Sequence, residues 1–332
     1  MSQTVRTGVL GVGALGRYHA QKYAGHEGAT LVGVFDPDRE RAESVAAEVG
    51  CPAFTEVDAL LREVDAVTIA APTEAHRELG EAAFAAGVHV LMEKPIAGTR
   101  EDADRLLAAA DQAGRVLQVG HLKRFHPGVR WLAEKGWDRQ APRYLEANRL
   151  NTFQPRSLDI DVIQDLMVHD LDLILNWVRA PVAEVRALGI PVVTDKVDMA
   201  NARIAFANGT VANVTASRVA SKRIREIRMF QFHRYASVDF VDNSLGLFEL
   251  DEDAEEGPVP GARGAQEVLE KRDLLADEVD AFLTACRGEP SLGATGAEGR
   301  DALDLGLQVR AAIDDHFQRY GDAAFALQET QP

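Results

Sequence analysis

Up to His121 the chain alternates short β-like runs with helical stretches: TGVLGVG, LVGVFD, AVTIAAP, VHVLMEKP and VLQVGH, each separated from the next by a helix-like segment. Strands that recur with helices between them predict a parallel, doubly wound sheet covered by helices on both faces, because each parallel return needs a crossover long enough to hold a helix. This alternation restricts the first part of the chain to an α/β architecture.

The first strand runs directly into Gly11-Val12-Gly13-Ala14-Leu15-Gly16, a GxGxxG that opens a helix. In that setting Gly11 permits a tight turn, Gly13 lets a pyrophosphate approach the backbone, and Gly16 lets helix and strand pack closely. The helix start, at Ala14 and Leu15, offers N–H groups to the phosphates. Asp36 ends the second predicted strand, 20 residues past Gly16, where a carboxylate binds ribose hydroxyls and repels a 2′-phosphate. The pattern therefore describes a Rossmann-type nucleotide domain with NAD favoured over NADP, although Arg39 and Arg41 stand near enough to weaken that preference. His19, on the first helix, reads as a packing or surface residue.

Two further stretches end later strands, where open α/β sheets place ligands. Pro72, Thr73 and His76 lie in a turn that either passes along the nicotinamide ribose or simply starts a helix. Glu93-Lys94-Pro95 offers a lysine that either donates to a reacting oxygen or is merely solvated at a strand end. His121 and Arg124 close this region and are candidates to meet substrate.

The segment VIQDLMVHDLDLILNWV (162–178) is apolar round most of a helical wheel. Yet Asp165, His169, Asp172 and Asn176 share a stripe about 60° wide. Asp165 and His169 are suited to proton transfer or to substrate hydroxyls. Asp170 points about 140° away from Asp165, among apolar neighbours, and calls for a buried partner that the sequence does not name. Nothing in the chain offers metal ligands at a diagnostic spacing, so no metal is expected.

Beyond about Arg143 the sequence turns strand-rich, predicting an α+β second domain with a large, mostly antiparallel open sheet. MANARIAF and TVANVTASR flank Asn208-Gly209, a two-residue hairpin signal. IREIRMFQF, YASVDFVD and SLGLFEL predict further strands, 251–266 an exposed loop, and two helices lie within Glu267–Arg287 and Glu298–Tyr320. Arg149 and Arg156 precede the polar helix and suit a diphosphate; Lys222, Arg223, Arg225 and Arg228 cluster later, where they either pair with a diphosphate or are ordinary strand charges. The domain boundaries expected are 1–122 for the nucleotide domain and 123–332 for the substrate-binding and oligomerisation domain, the last helix packing back near the first domain.

A net charge of −16 over 332 residues argues against nucleic acid or an anionic membrane as a partner. Two distant cysteines and an N-terminus without a signal-peptide layout predict a reduced, cytoplasmic setting.

GxGxxG, Asp36, PTxxH, EKP, QVGHxxRFxP (Gln118 to Pro127) and the Asp165-x-x-x-His169-x-x-Asp172 stripe occur here in the order of one family. Together they resemble the glucose–fructose oxidoreductase / inositol dehydrogenase (Gfo/Idh/MocA) family. The resemblance implies an NAD-dependent sugar dehydrogenase in which Lys94 and His169 are catalytic, Asp165 is the acid that assists, and the Lys94–Pro95 bond is cis. Taken with the motif positions above, the cofactor candidates are Gly11, Gly13, Ala14, Leu15, Gly16, Asp36, Pro72, Thr73, His76, Glu93 and Lys94, and the substrate candidates His121, Arg124, Arg149, Arg156, Asp165 and His169. The resemblance implies a homodimer or homotetramer through the open sheet. Where many members carry paired glycines, this chain reads Asp161-Val162-Ile163-Gln164-Asp165, which looks most like the subgroup that oxidises UDP-N-acetylglucosamine at C3. The alternatives are a free-sugar or inositol dehydrogenase, an NAD-dependent glycosidase, and a non-catalytic NAD-binding sensor.

Overall fold

The computed structural model describes residues 4–154, 160–250 and 261–325. Two units emerge: one holds the chain up to Phe125 together with Asp273–Leu303, the other His126–Arg272 and the chain from Asp304 onward.

The first unit follows the predicted alternation: β1 (Val5–Leu10), α1 (Ala14–Ala24), β2 (Ala29–Phe35), α2 (Arg39–Val49), β3 (Ala53–Phe54), α3 (Val57–Leu61), β4 (Ala66–Ile69), α4 (Thr73–Ala85), β5 (His89–Met92), α5 (Arg100–Ala113) and β6 (Leu117–Val119). The strands lie in the order β6-β5-β4-β1-β2-β3, all parallel. From β1 the chain winds outward through β2 and β3, then restarts on the other side with β4. The carboxyl end of β1 is therefore the switch point, where a crevice opens for a ligand. Helices begin where sequence provides caps: Asp38 accepts from the backbone N–H of Arg41, and Thr99 from that of Asp102. One side of the sheet buries Val9, Tyr23, Val34 and Leu91 with Val279, Phe282 and Leu283, each side chain of this size contributing about 1.5–3 kcal/mol when removed from water.

The second unit contains α6 (Pro127–Glu134), β7 (Tyr144–Leu150), α7 (Val168–Val178), β8 (Val182–Ile190), β9 (Met199–Phe206), β10 (Val211–Ser217), β11 (Ile224–Gln231), β12 (Arg234–Asp239), β13 (Ser244–Leu250) and β14 (Ala262–Val268). Its sheet runs β14-β13-β12-β11-β7-β10-β9-β8, antiparallel except that β7 and β10 are parallel. Ala202, Ile204 and Phe206 are buried while Asn201 and Arg203 are exposed, the alternation expected of a half-covered strand. The hairpin between β9 and β10 is a three-residue loop, not the two-residue turn expected. Phe206 N–H donates to Thr210, Gly209 N–H donates back to Phe206, and Gly209 sits at φ +85°, the left-handed position that ends such a loop.

A second correction concerns residues 251–266. Of the described part, 262–266 belong to β14, which pairs with β13 along its whole length. The polar run ARGAQEV reads as loop because β14 lies at the sheet's end and exposes nearly all its side chains.

The remaining elements return to earlier parts of the chain. Helix α8 (Leu274–Cys286) packs in the first unit, and β15 (Ala294–Thr295) adds antiparallel to β6. Helix α9 (Gly296–Phe325) begins in the first unit, and its Leu305, Val309 and Ile313 join the core of the second. Among the described residues, no helix is long and apolar enough to cross a membrane.

Candidate active site

In the first unit the glycine loop has the steric signature of a phosphate cradle. A Cβ on Gly11 would come 2.8 Å from the Ala71 nitrogen, and one on Gly16 would come 1.8 Å from the Gly11 oxygen. At Gly13 a Cβ would meet nothing within 4 Å. The loop thus forbids side chains where it must pack and leaves open space where a ligand must approach. Helix α1 starts at Ala14 with no side chain capping it, and Ala14 and Leu15 are exposed, so its first N–H groups face outward.

Asp36 stands at the mouth of this loop. Its Oδ2 accepts from the Val12 N–H at 2.9 Å and its Oδ1 from the Asp38 N–H at 2.9 Å, while Arg41 pairs with it at 3.2 Å and with Asp38 at 2.9 Å. The carboxylate therefore fastens the glycine loop to the end of β2, the position at which Rossmann domains in general recognise ribose hydroxyls. These residues fit NAD. When bound, that cofactor supplies a hydride acceptor.

The other residues of the first unit fall at neighbouring strand ends. Pro72 precedes α4 and Thr73 begins it. His76 turns inward and is buried, its Nδ1 3.0 Å from the Pro95 carbonyl and its Nε2 3.0 Å from the Ala71 carbonyl. The Lys94–Pro95 bond is cis, as the family resemblance implied, and the Lys94 N–H donates to Glu93 Oε2 at 3.2 Å. Glu93 Oε1 lies 2.9 Å from Nε2 of His19, which is buried and not a surface residue. Burial pushes the Glu93 carboxyl up, but His19 and the charge of Lys94 outweigh it, so the group sits below the ordinary carboxylate range. With Glu278, these two residues form the group of potential metal ligands found among the described residues, one ligand atom from each lying within 4.8 Å of the others. His121 is buried, and Arg124 pairs with Glu298 at 3.1 Å.

In the second unit the polar helix departs from the α-geometry expected over its first turn. Ile163–Met167 is a π turn, closing i→i+5 hydrogen bonds, and only from Val168 does α7 proceed as an α-helix. Asp161 stabilises the entry: its Oδ1 accepts from the N–H groups of Ile163 and Gln164, and its Oδ2 pairs with Arg310. Such single π turns collect at functional sites, and here the turn carries Asp165. Asp165 and His169 are partly exposed, Asp172 is buried, and the apolar remainder of the helix packs against Ala202, Ile204 and Val214 of the sheet and Val309 of α9.

The missing partner of Asp170 is Arg149. Its Nε donates to Asp170 Oδ2 at 2.8 Å, its Nη2 donates to Oδ1, and both side chains are 2% exposed. The expectation that Arg149 would bind substrate is corrected by this fork, which commits the guanidinium to tying β7 to α7. Arg156 lies outside the described residues.

A cavity of about 150 Å³ opens beside the π turn, lined among others by Asn151, Thr152, Asp165, Arg218, Arg223 and Arg225. Sheet topology explains it. Because β7 and β10 are parallel, with Leu150 opposite Ser217, their carboxyl ends deliver Asn151 and Arg218 to one edge; β11 begins opposite Leu150 and adds Arg223 and Arg225. Arg218 is anchored by the Ile160 carbonyl at 2.7 Å and by Asp198 at 3.7 Å. Burial would raise the Asp198 carboxyl, but the N–H groups of Val192, Val193 and Thr194 and the Thr194 hydroxyl hold it down at about 2. Arg225 donates to Asn151 Oδ1 at 3.2 Å. Arg223 is exposed and, among the described residues, makes no ion pair. Of the other cluster members, Arg228 pairs with Glu226 and Glu146 on the sheet, and Lys222 is exposed. No local signal in the sequence marks Arg218 as a site residue, because nothing local makes β10 the parallel neighbour of β7.

Nucleotide cradle, strand-end lysine and an acid–histidine helix define an NAD-dependent oxidoreductase. The chain belongs to the Gfo/Idh/MocA oxidoreductase family: residues 5–121 match its NAD-binding Rossmann domain and 133–231 a C-terminal domain of the family. It is 50% identical over 315 residues to UDP-N-acetylglucosamine 3-dehydrogenase of Acidithiobacillus ferrooxidans, covering 95% of this chain and 99% of that protein. A solved structure of that enzyme superimposes with a TM-score of 0.87 at 49% identity, over 94% of this chain and 98% of the other. The myo-inositol 2-dehydrogenase of Thermotoga maritima is 26% identical over 332 residues, 94% of this chain and 97% of that one.

Proposed function

We propose that this enzyme oxidises a secondary hydroxyl of a nucleotide sugar, at C3 of UDP-N-acetylglucosamine or a near relative, and passes the hydride to NAD⁺. The observation that carries this reading is the arginine-lined cavity at Asp165. A free sugar or inositol has no group that calls for Arg218, Arg223 and Arg225 together, whereas a diphosphate does. The high identity to an enzyme named for that reaction supports it.

The chemistry divides among this chain's own residues. His169 takes the hydroxyl proton, since an imidazole exchanges protons near neutral pH. Lys94, donor-only, holds the oxygen as negative charge develops on it. Asp165 either orients the imidazole or accepts from a neighbouring sugar hydroxyl; its place on the cavity wall favours the second. The C–H bond breaks as the C=O bond forms, and the hydride leaves with both electrons.

The same reading places the enzyme in the cytoplasm, in keeping with two free cysteines, and makes it a homodimer or homotetramer through the large sheet. Tyr144, Phe230 and Tyr235 line up across three strands of that sheet, with ring centroids 5.5 and 4.9 Å apart, a row suited to a partner's surface.

Arg223→Ala and Arg225→Ala are expected to raise KM for UDP-N-acetylglucosamine roughly ten- to a hundredfold, the worth of one charged hydrogen bond, with little change in kcat. Steady-state kinetics checks this. Unchanged KM in both variants would remove the cavity from substrate binding.

A further inference from the structure

We propose that His76 is a positioning residue for Lys94: its Nδ1–H, donated to the Pro95 carbonyl, holds the segment carrying the lysine in place. The proposal rests on the reading of Lys94 as catalytic, and it takes His76 away from direct contact with the cofactor.

Three segments meet at this ring. Helix α4 supplies His76 itself. The turn after β4 supplies the Ala71 carbonyl, and this turn is pressed so closely against Gly11 that no Cβ fits there. The segment after β5 supplies the Pro95 carbonyl, one residue beyond Lys94. The imidazole is 1% exposed, so water cannot replace a bond it fails to make.

Of the two ring nitrogens, only one that carries a hydrogen donates to a carbonyl. A neutral imidazole has one such group and an imidazolium two. Burial pushes His76 down; the carbonyls of Ala71 and Pro95, the backbone at Ile96 and the Glu93 carboxylate pull it up, and the net direction is downward. Two carbonyls therefore compete for one proton. The Pro95 contact is the fully buried one, whereas the Ala71 contact is only partly so. Leaving a buried carbonyl without a donor costs more than leaving one that water reaches. The proton accordingly resides on Nδ1 and faces Pro95.

This arrangement matters for turnover because a lysine that aims at a developing charge must be held to a fraction of an ångström. Glu93, the residue before it, is fixed from the other side by His19. Lys94 is thus flanked by two histidine contacts, one at each neighbouring residue.

The test uses the different reach of two amides. An asparagine side chain places its –NH₂ where Nδ1 stands, and a glutamine places its own where Nε2 stands. His76→Asn keeps a donor toward the Pro95 carbonyl and presents none toward Ala71; His76→Gln presents its donor toward the Ala71 carbonyl and leaves Pro95 without one. Turnover with NAD⁺ and UDP-N-acetylglucosamine is expected to fall on the order of ten- to a hundredfold in the glutamine variant and to stay near the parent's in the asparagine variant, with similar thermal midpoints. A purely structural role would make the two fall together.

Two readouts need no sugar and so separate this proposal from the assignment of substrate. In the unaltered protein, the side-chain nitrogen shifts of His76 should show the proton on Nδ1. The pH profile of Lys94 acylation by a small amine-reactive reagent, followed by mass spectrometry, should move in the glutamine variant and not in the asparagine variant. A proton found on Nε2, or a Lys94 profile unchanged in both variants, would overturn the proposal.

Discussion

Lys94→Ala is expected to lower kcat about a hundred- to a thousandfold, the usual loss when one preorganised donor to a developing oxyanion is removed. The dissociation constant for NAD⁺ is expected to stay close to the parent's. On the proposed reading the cofactor rests on parts that Lys94 does not build: the open side of Gly13, the uncapped start of α1, and the Asp36 carboxylate bound to the Val12 N–H. The Lys94 backbone is also retained, and with it the N–H bond to Glu93 Oε2. Titration of NAD⁺ by fluorescence and single-turnover formation of NADH, run on the same preparation, would separate the two effects. Parental turnover in the variant would take the lysine out of the mechanism; a large loss of NAD⁺ affinity would make it chiefly a cofactor ligand.

The second large effect concerns stability. Arg149→Met is expected to strand the Asp170 carboxylate in a core where its side chain is 2% exposed. Breaking a buried ion pair from one side costs about 3–5 kcal/mol, because the remaining charge has neither water nor partner. The double variant Arg149→Met, Asp170→Leu removes the charge along with its partner and regains most of that loss. Urea unfolding followed by a probe in the second unit reads both. If the single variant unfolds at the parent's midpoint, the pair is not the buried anchor between β7 and α7 that its geometry describes.

That pair also shows where sequence stops speaking. An acid at 170 among Leu166, Ile163 and their neighbours signals that a partner must exist, since burial without one is too costly. Which residue answers depends on how β7 packs beneath α7, a long-range placement with no periodicity to reveal it, and Arg149 is as plausible a ligand for a phosphate as for Asp170. The nucleotide domain was legible for the opposite reason. Gly11, Gly13, Gly16 and Asp36 lie within one strand–helix–strand unit, so their geometry follows from local order along the chain. The π turn at Asp165 was not legible, because apolar spacing over 162–178 fits an α-helix throughout and the extra residue in one turn leaves no compositional mark. The cavity lay between these cases. Arg223 and Arg225 stand out in the sequence as a cluster, but Asn151 and Arg218 join them only through the parallel pairing of β7 with β10 inside an antiparallel sheet.

A substrate that carries a diphosphate as well as an oxidisable sugar hydroxyl is what the arginine-lined cavity at Asp165 calls for. Incubating the protein with NAD⁺ and, separately, UDP-N-acetylglucosamine, N-acetylglucosamine, glucose and myo-inositol, and following NADH by its near-ultraviolet absorbance while trapping any keto product, tests this. Stoichiometric NADH with the nucleotide sugar alone is the predicted result. Turnover of a free sugar or of inositol, with none of the UDP-sugar, would contradict it.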